Sequence, residues 1–172
     1  MSGNLNANGL VDPKFIGIPY LLKGRQFDGA DCIGLVILWF QEHGYDVGNS
    51  GSEPYAAHWT DEDPQMYLKK LMEYGDFVDF RQMQPNDVVM ILNHDPDSEK
   101  DSKRVDSIGV VVDGGHFLAT TKEKGSQVGT FTLANLRYFV GAIRPLFDED
   151  KRFVKKIQHD QKKKAEPAPA AA

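Results

Sequence analysis

The chain has 172 residues, 41% of them hydrophobic and 26% charged, with a formal net charge of −5. That is enough apolar material for one real core but not for two domains, and the acidic balance argues against nucleic acid as the main partner. A single cysteine excludes an internal disulfide and any multi-cysteine zinc centre, so packing alone must hold the fold.

Residues 1–12 read as a flexible lead. Met1 to Gly9 is small and polar, with neither a basic n-region nor an apolar h-region, so the expectation is no Sec signal peptide and synthesis in the cytosol. No apolar run in the chain is long enough to span a bilayer. Residues 13–30 are loop-like, rich in glycine with Pro13 and Pro19. The first strong helix begins after Asp31, a suitable N-cap, and stops at Gly44, a suitable C′ residue after His43. Ile33, Val36, Ile37 and Phe40 share one face. Leu35, Leu38 and Trp39 make the other faces apolar too, which predicts a central helix rather than a surface one.

A loop over 45–61 carries Tyr55, His58 and Trp59, and Asp63-Pro64 then opens a second predicted helix that ends at Gly75. From there the pattern turns to β. Predicted strands are Phe77–Phe80, Asp87–Leu92, Ile108–Val112, His116–Thr121, Val128–Leu133 and Phe139–Pro145, with Asp113-Gly114-Gly115 as a tight hairpin turn. Short strands on short turns predict an antiparallel sheet, helices first and sheet second, so the expected class is α+β. Residues 93–106 read as an acidic loop. Residues 149–172 begin as a charged helical pattern and decay through Lys162-Lys163-Lys164 into an Ala/Pro tail suited to docking on an acidic neighbour. The domain is therefore placed at 13–148.

The chemistry concentrates at Asp31-Cys32-Ile33-Gly34-Leu35. At a helix start, unpaired backbone N–H groups and the helix dipole favour a thiolate, the nucleophilic form of cysteine. The bland alternative is a small apolar residue on a buried helix. Asp95, Asp97, Glu99 and Asp101 superficially resemble a calcium loop, but Lys100 stands where the sharp-turn glycine belongs and the closing Glu is missing, so no metal or other cofactor is expected.

The run Gly17-Ile-Pro-Tyr20, Gly24 and Gly29-Ala-Asp31-Cys32-Ile-Gly34-Leu35-Val36 resembles the NlpC/P60 family of cell-wall cysteine peptidases. Downstream, Pro85-Asn-Asp87-Val88-Val89 is similar to that family's Pro-Gly-Asp-Leu-Val strand. Ile108-Gly109-Val110-Val111 and Asp113-Gly114-Gly115-His116-Phe117-Leu118 are similar to its next hairpin. The resemblance covers residues 15–146 and implies a papain-like fold, with the nucleophile helix packed on an antiparallel β-sheet. Members cut the peptide stems of peptidoglycan, and stand-alone versions resemble those in the tail modules of tailed phages.

Carried over by position, the resemblance makes Cys32 the nucleophile and Tyr20 the oxyanion-side hydroxyl, with Asp31 a helix cap. The family histidine stands two residues before the strand glycine, here Gly109, and that position is Ser107. The third polar member falls at Ala119. Serine cannot act as a base near neutral pH and alanine cannot orient a ring, which reads as a degenerate site. His94, at the end of the strand expected to pair with Ile108–Val112, is the substitute base to test. His116, His58, His43 and His159 are weaker candidates.

Two functions follow. One is a virion component, a pseudoenzyme domain in a phage tail tip whose partners are other tail-tip proteins and peptidoglycan. The other is an active peptidoglycan endopeptidase that opens the wall during genome entry. A cytosolic amidase acting on small γ-glutamyl compounds ranks third.

Overall fold

A computed structural model of the chain describes residues 9–47, 72–92 and 105–154. Most of the predicted second helix, most of the acidic loop, and the tail beyond 154 lie outside these residues.

Asp12 caps a short 3-10 turn, Pro13–Phe15, and a two-stranded hairpin follows, β1 (Arg25–Gln26) and β2 (Gly29–Ala30). It leads into α1 (Cys32–Glu42), which starts and stops where the sequence predicts: the Asp31 side chain accepts from the Gly34 N–H, and Gly44 at φ 83° follows the His43 cap. Such an N-cap is worth about 1 kcal/mol. From Cys32 to Phe40 every residue but Ile33 is buried, which makes α1 the central helix its all-round apolar pattern requires.

The remaining strands are β3 (Gly75–Val78), β4 (Val88–Ile91), β5 (Ser107–Asp113), β6 (His116–Thr121), β7 (Gly125–Thr130) and β8 (Phe139–Pro145). They form one six-stranded sheet in the order β3-β8-β4-β5-β6-β7, antiparallel throughout. One helix packed on an antiparallel sheet is the α+β class expected. α1 lies across β5 and β6.

Three regions differ from the sequence reading by more than one residue. The strand expected at Val128–Leu133 spans Gly125–Thr130, because Gly125 (φ 71°) closes the β6–β7 turn and pairing with β6 starts there. Thr132 and Asn135 then exchange backbone-to-side-chain hydrogen bonds that hold a turn, leaving Leu133 93% exposed. The strand expected at Phe77–Phe80 ends at Val78, because the Asp79 side chain accepts from the Arg81 N–H and caps a 3-10 turn over Phe80–Gln82. Residues 149–154 do not begin a helix. Lys151 takes φ 59°, the Asp148 carboxylate accepts from the Asp150 and Arg152 N–H groups, Arg152 pairs with Asp46 in a backbone β-bridge, and Phe153 packs edge-on against Phe147 and tilted against Tyr74.

The sheet has two differently furnished faces. Residues alternate along a strand, so Ile108, Val110, Leu118, Val88, Met90, Val128 and Ile143 join α1 in the main core, with Phe15 and Ile18 at its edge. The other face carries a smaller cluster of Val89, Ile91, Val111 and Phe139, flanked by Phe80, Met83, Phe117, Ala119 and Phe131. Two polar ties fix α1 and the central strands. Asn86, at φ 76°, accepts through Oδ1 from Trp39 Nε1 at 2.9 Å. Asn tolerates that left-handed conformation where most side chains do not. Buried Asp87 accepts a fork from Arg144, Nε to Oδ1 and Nη2 to Oδ2, each at 3.0 Å.

Candidate functional site

Cys32 is the first residue of α1 and is buried, 8% exposed, within the main core. What surrounds it is built by the glycines and the carboxylate of the same motif. Asp31 is 2% exposed, and both of its carboxylate oxygens are engaged. Oδ1 accepts from Gly34 N–H at 2.8 Å and from Arg25 Nη1 at 3.0 Å, while Oδ2 accepts from Lys23 N–H at 2.7 Å. Arg25 Nη1 also donates to the Gly24 carbonyl at 2.8 Å. A Cβ on Gly34 would stand 1.9 Å from that same carbonyl oxygen, and a Cβ on Gly24 would stand 2.3 Å from the Gly29 carbonyl oxygen. The hairpin therefore lies against the first turn of α1 only because both positions lack side chains.

Tyr20 is brought alongside by backbone pairing. It forms a parallel bridge with Ala30, Ala30 N–H donates to the Pro19 carbonyl, and Leu21 N–H donates to the Ala30 carbonyl. Burial pushes the Tyr20 phenol up to about 12, helped by the nearby Cys32 and Asp31 charges. The hydroxyl is thus held as a donor across the working pH range. Lys122, from the β6–β7 turn, sits with Nζ 5.9 Å from the Tyr20 ring centroid. The site so far offers a thiol at a helix N-terminus and a protonated phenol beside it, with Asp31 committed to the cap as the sequence reading expected.

The two positions that the resemblance assigns to a base and its orienter lie in β5 and β6. Ser107 opens β5, buried at 3% exposure and paired with Ile91 of β4. Ala119, in the middle of β6, packs against the second cluster rather than the core that holds Cys32. A Cβ on Gly109 would meet the Ala119 methyl at 3.2 Å and the Ile91 Cδ1 at 3.4 Å, and alternation from Gly109 puts Ser107 on that side too.

Neither described histidine adjoins the thiol. His43 lies at the far end of α1, about 16 Å along the axis at 1.5 Å per residue. Its Nδ1 is 2.6 Å from the Trp39 carbonyl, and its ring centroid is 4.1 Å from that of Trp39. These contacts hold the His43 ring against Trp39 at the C-terminal end of the helix. His116 opens β6, with Nδ1 2.7 Å from Asp113 Oδ1. His94, His58 and His159, like the Asp95–Asp101 run, lie outside the described residues. Among the described residues no group of three or more His, Cys, Asp or Glu side chains could hold a metal ion, and no helix is long and apolar enough to cross a membrane.

Arg25 and Ser126 are the structural partners that sequence reasoning missed. Ser126 is fully buried. Its Oγ accepts from Ile18 N–H at 2.8 Å and donates to the Phe15 carbonyl at 2.6 Å, which ties the segment leading to Tyr20 onto β7. No motif announces either residue.

No protein-family model matches the chain, and no curated protein sequence does. Solved structures do. An NlpC/P60 family protein from Bacillus cereus is similar at 18% identity with a TM-score of 0.52, over 81% of this chain and 40% of that one. An NLP/P60 family protein similar to lipoprotein, from Staphylococcus aureus, is similar at 15% identity, TM-score 0.49, over 86% of this chain and 42% of that one. The NlpC/p60 domain of the peptidoglycan hydrolase SagA is similar at 16% identity, TM-score 0.46, over 83% of this chain and 98% of that domain. The chain thus spans about two-fifths of the length of the first two. Its fold is NlpC/P60-like, as the sequence motifs implied.

Proposed function

We infer that this chain is a component of a phage tail tip whose NlpC/P60-like domain faces the peptidoglycan as a folded module, with its hydrolytic centre degenerate. One observation carries the reading: serine and alanine occupy the positions, 107 and 119, where the resemblance asks for a base and its orienting partner. A cysteine peptidase needs a group to take the thiol proton and return it to the leaving amine. The described surroundings of Cys32 supply hydroxyl, carboxylate and guanidinium groups, and the carboxylate is engaged in capping. The tail-tip setting rests on the resemblance read from the sequence.

A second reading keeps hydrolysis: an endopeptidase using Cys32 as nucleophile, Tyr20 for the oxyanion and His94 as base. It is favoured by the protonated Tyr20 phenol beside a thiol at a helix start. A phage carrying Cys32→Ala separates the two readings. The structural reading expects the chain in purified virions by mass spectrometry, and unchanged plating efficiency for the variant. Absence from virions would defeat the tail-tip setting, and a collapse in plating by a stably incorporated variant would favour the enzyme.

A further inference from the structure

Among the described residues, one buried side-chain polar atom lacks a hydrogen-bond partner, Thr120 Oγ1. The residue is only 5% exposed. Leaving a buried hydroxyl unsatisfied costs about 1–3 kcal/mol, so such a group calls for an explanation.

Its place in the sheet supplies one. Leu118 lies in the main core with α1 and Ala119 on the opposite face, so alternation along β6 returns Thr120 to the α1 side. The direction of α1 then decides which end of the helix it faces. Trp39, near the C-terminal end, bonds to Asn86, whose N–H donates to the Val111 carbonyl at the far end of β5. The N-terminal end, with Cys32, must therefore lie toward the Ser107–Ile108 end of β5. β6 runs antiparallel to β5 with Leu118 opposite Val110, which brings Thr120 to that same end. On its other side Thr120 pairs with Ser126, whose hydroxyl fixes Ile18, two residues before Tyr20. Thr120 thus stands on the sheet where Cys32, Tyr20 and the 15–20 segment converge.

We propose that Thr120 is a ligand-binding residue of the Cys32 site, its hydroxyl donating to the carbonyl oxygen of an amide-bearing ligand that enters past Tyr20. The ligand class follows from the groups present. Threonine and a protonated phenol are neutral donors, suited to a neutral acceptor such as a peptide carbonyl. The inference deepens the function given above, from which it takes the Cys32 end of α1 as the ligand-facing end, but it requires no hydrolysis.

The test compares two alkylating probes on Cys32, the chain's one thiol, in the full-length protein. In both reactions an S–C bond forms and iodide leaves; iodoacetamide carries an amide carbonyl and iodomethane does not. In Thr120→Val the ratio of the iodoacetamide rate to the iodomethane rate should fall about fivefold, the size of one neutral hydrogen bond. Thr120→Ser should restore it, and the Tm of Thr120→Val should be equal to or above that of the unmodified protein, since no partner is lost. An unchanged ratio overturns the proposal, as does a fall that serine does not reverse or a marked drop in Tm. Cleavage of wall peptides would sink the degenerate-site reading without touching this ratio, so the two can fail separately.

Discussion

The two groups of positions that the sequence resemblance marks differ in what the fold asks of them. At the head of α1, Asp31, Gly34, Gly24 and Arg25 are tied together. The carboxylate caps the helix and holds two other donors, and the two glycines let the hairpin carbonyls come into contact. Across the sheet, Ser107 and Ala119 are single small residues within strands. The first group cannot change without taking down a helix end. The second can be exchanged at little structural cost. An Asp-Cys-x-Gly run at a helix start thus has an architectural role here whatever its chemistry.

That contrast breaks most visibly at Asp31. Asp31→Ala removes the partner of Arg25, of the Lys23 N–H and of the helix cap at once. The expected loss is about 3 kcal/mol, read from urea denaturation midpoints. A loss near that of an ordinary surface substitution would show that the cap is dispensable. On the other side, Ser107→Ala should shift stability by about 1 kcal/mol or less and leave the Cys32 alkylation rate unchanged. A large change in that rate would make Ser107 a working member of the site.

A smaller effect sharpens the comparison through pH. The Tyr20 phenol is raised from 10.0 to about 12 in the fold, by burial first and then by Cys32 and Asp31. Below pH 10 neither state is ionised and stability is unaffected by this group. Between pH 10 and 12 the unfolded chain loses the proton while the folded one keeps it, so stability falls as pH rises through that window. Tyr20→Phe should flatten this part of the stability profile. In ultraviolet difference spectra, the phenolate signal missing from the variant should titrate near 12. A midpoint near 10 would mean that Tyr20 is not enclosed beside Cys32.

Much of this was legible in the sequence because it was local. The N-cap at Asp31, the stop at Gly44, the hairpin at Asp113-Gly114-Gly115, and the bounds of β6 and β8 each depend on residues within a few positions of one another. β7 was misplaced because Phe131 and Leu133 extend an apolar pattern that the Thr132–Asn135 turn overrides. The same holds at residues 149–154, where pairing with Asp46, about a hundred positions away, defeats a helical charge pattern. Arg25, Ser126 and Thr120 could not be singled out, since their roles depend on which strand face meets α1, and one sequence does not give that. Cys32 and Tyr20 were found because they sit in a spaced motif, and the structure brings them together.

The central claim is the proposed one, that the NlpC/P60-like domain serves as a folded module without hydrolysis. The direct measurement is digestion of purified peptidoglycan stem peptides by the unmodified full-length protein and by Cys32→Ala, followed by mass spectrometry of the fragments. The account predicts intact peptides with both proteins. Fragments released by the unmodified protein and missing with Cys32→Ala would contradict it.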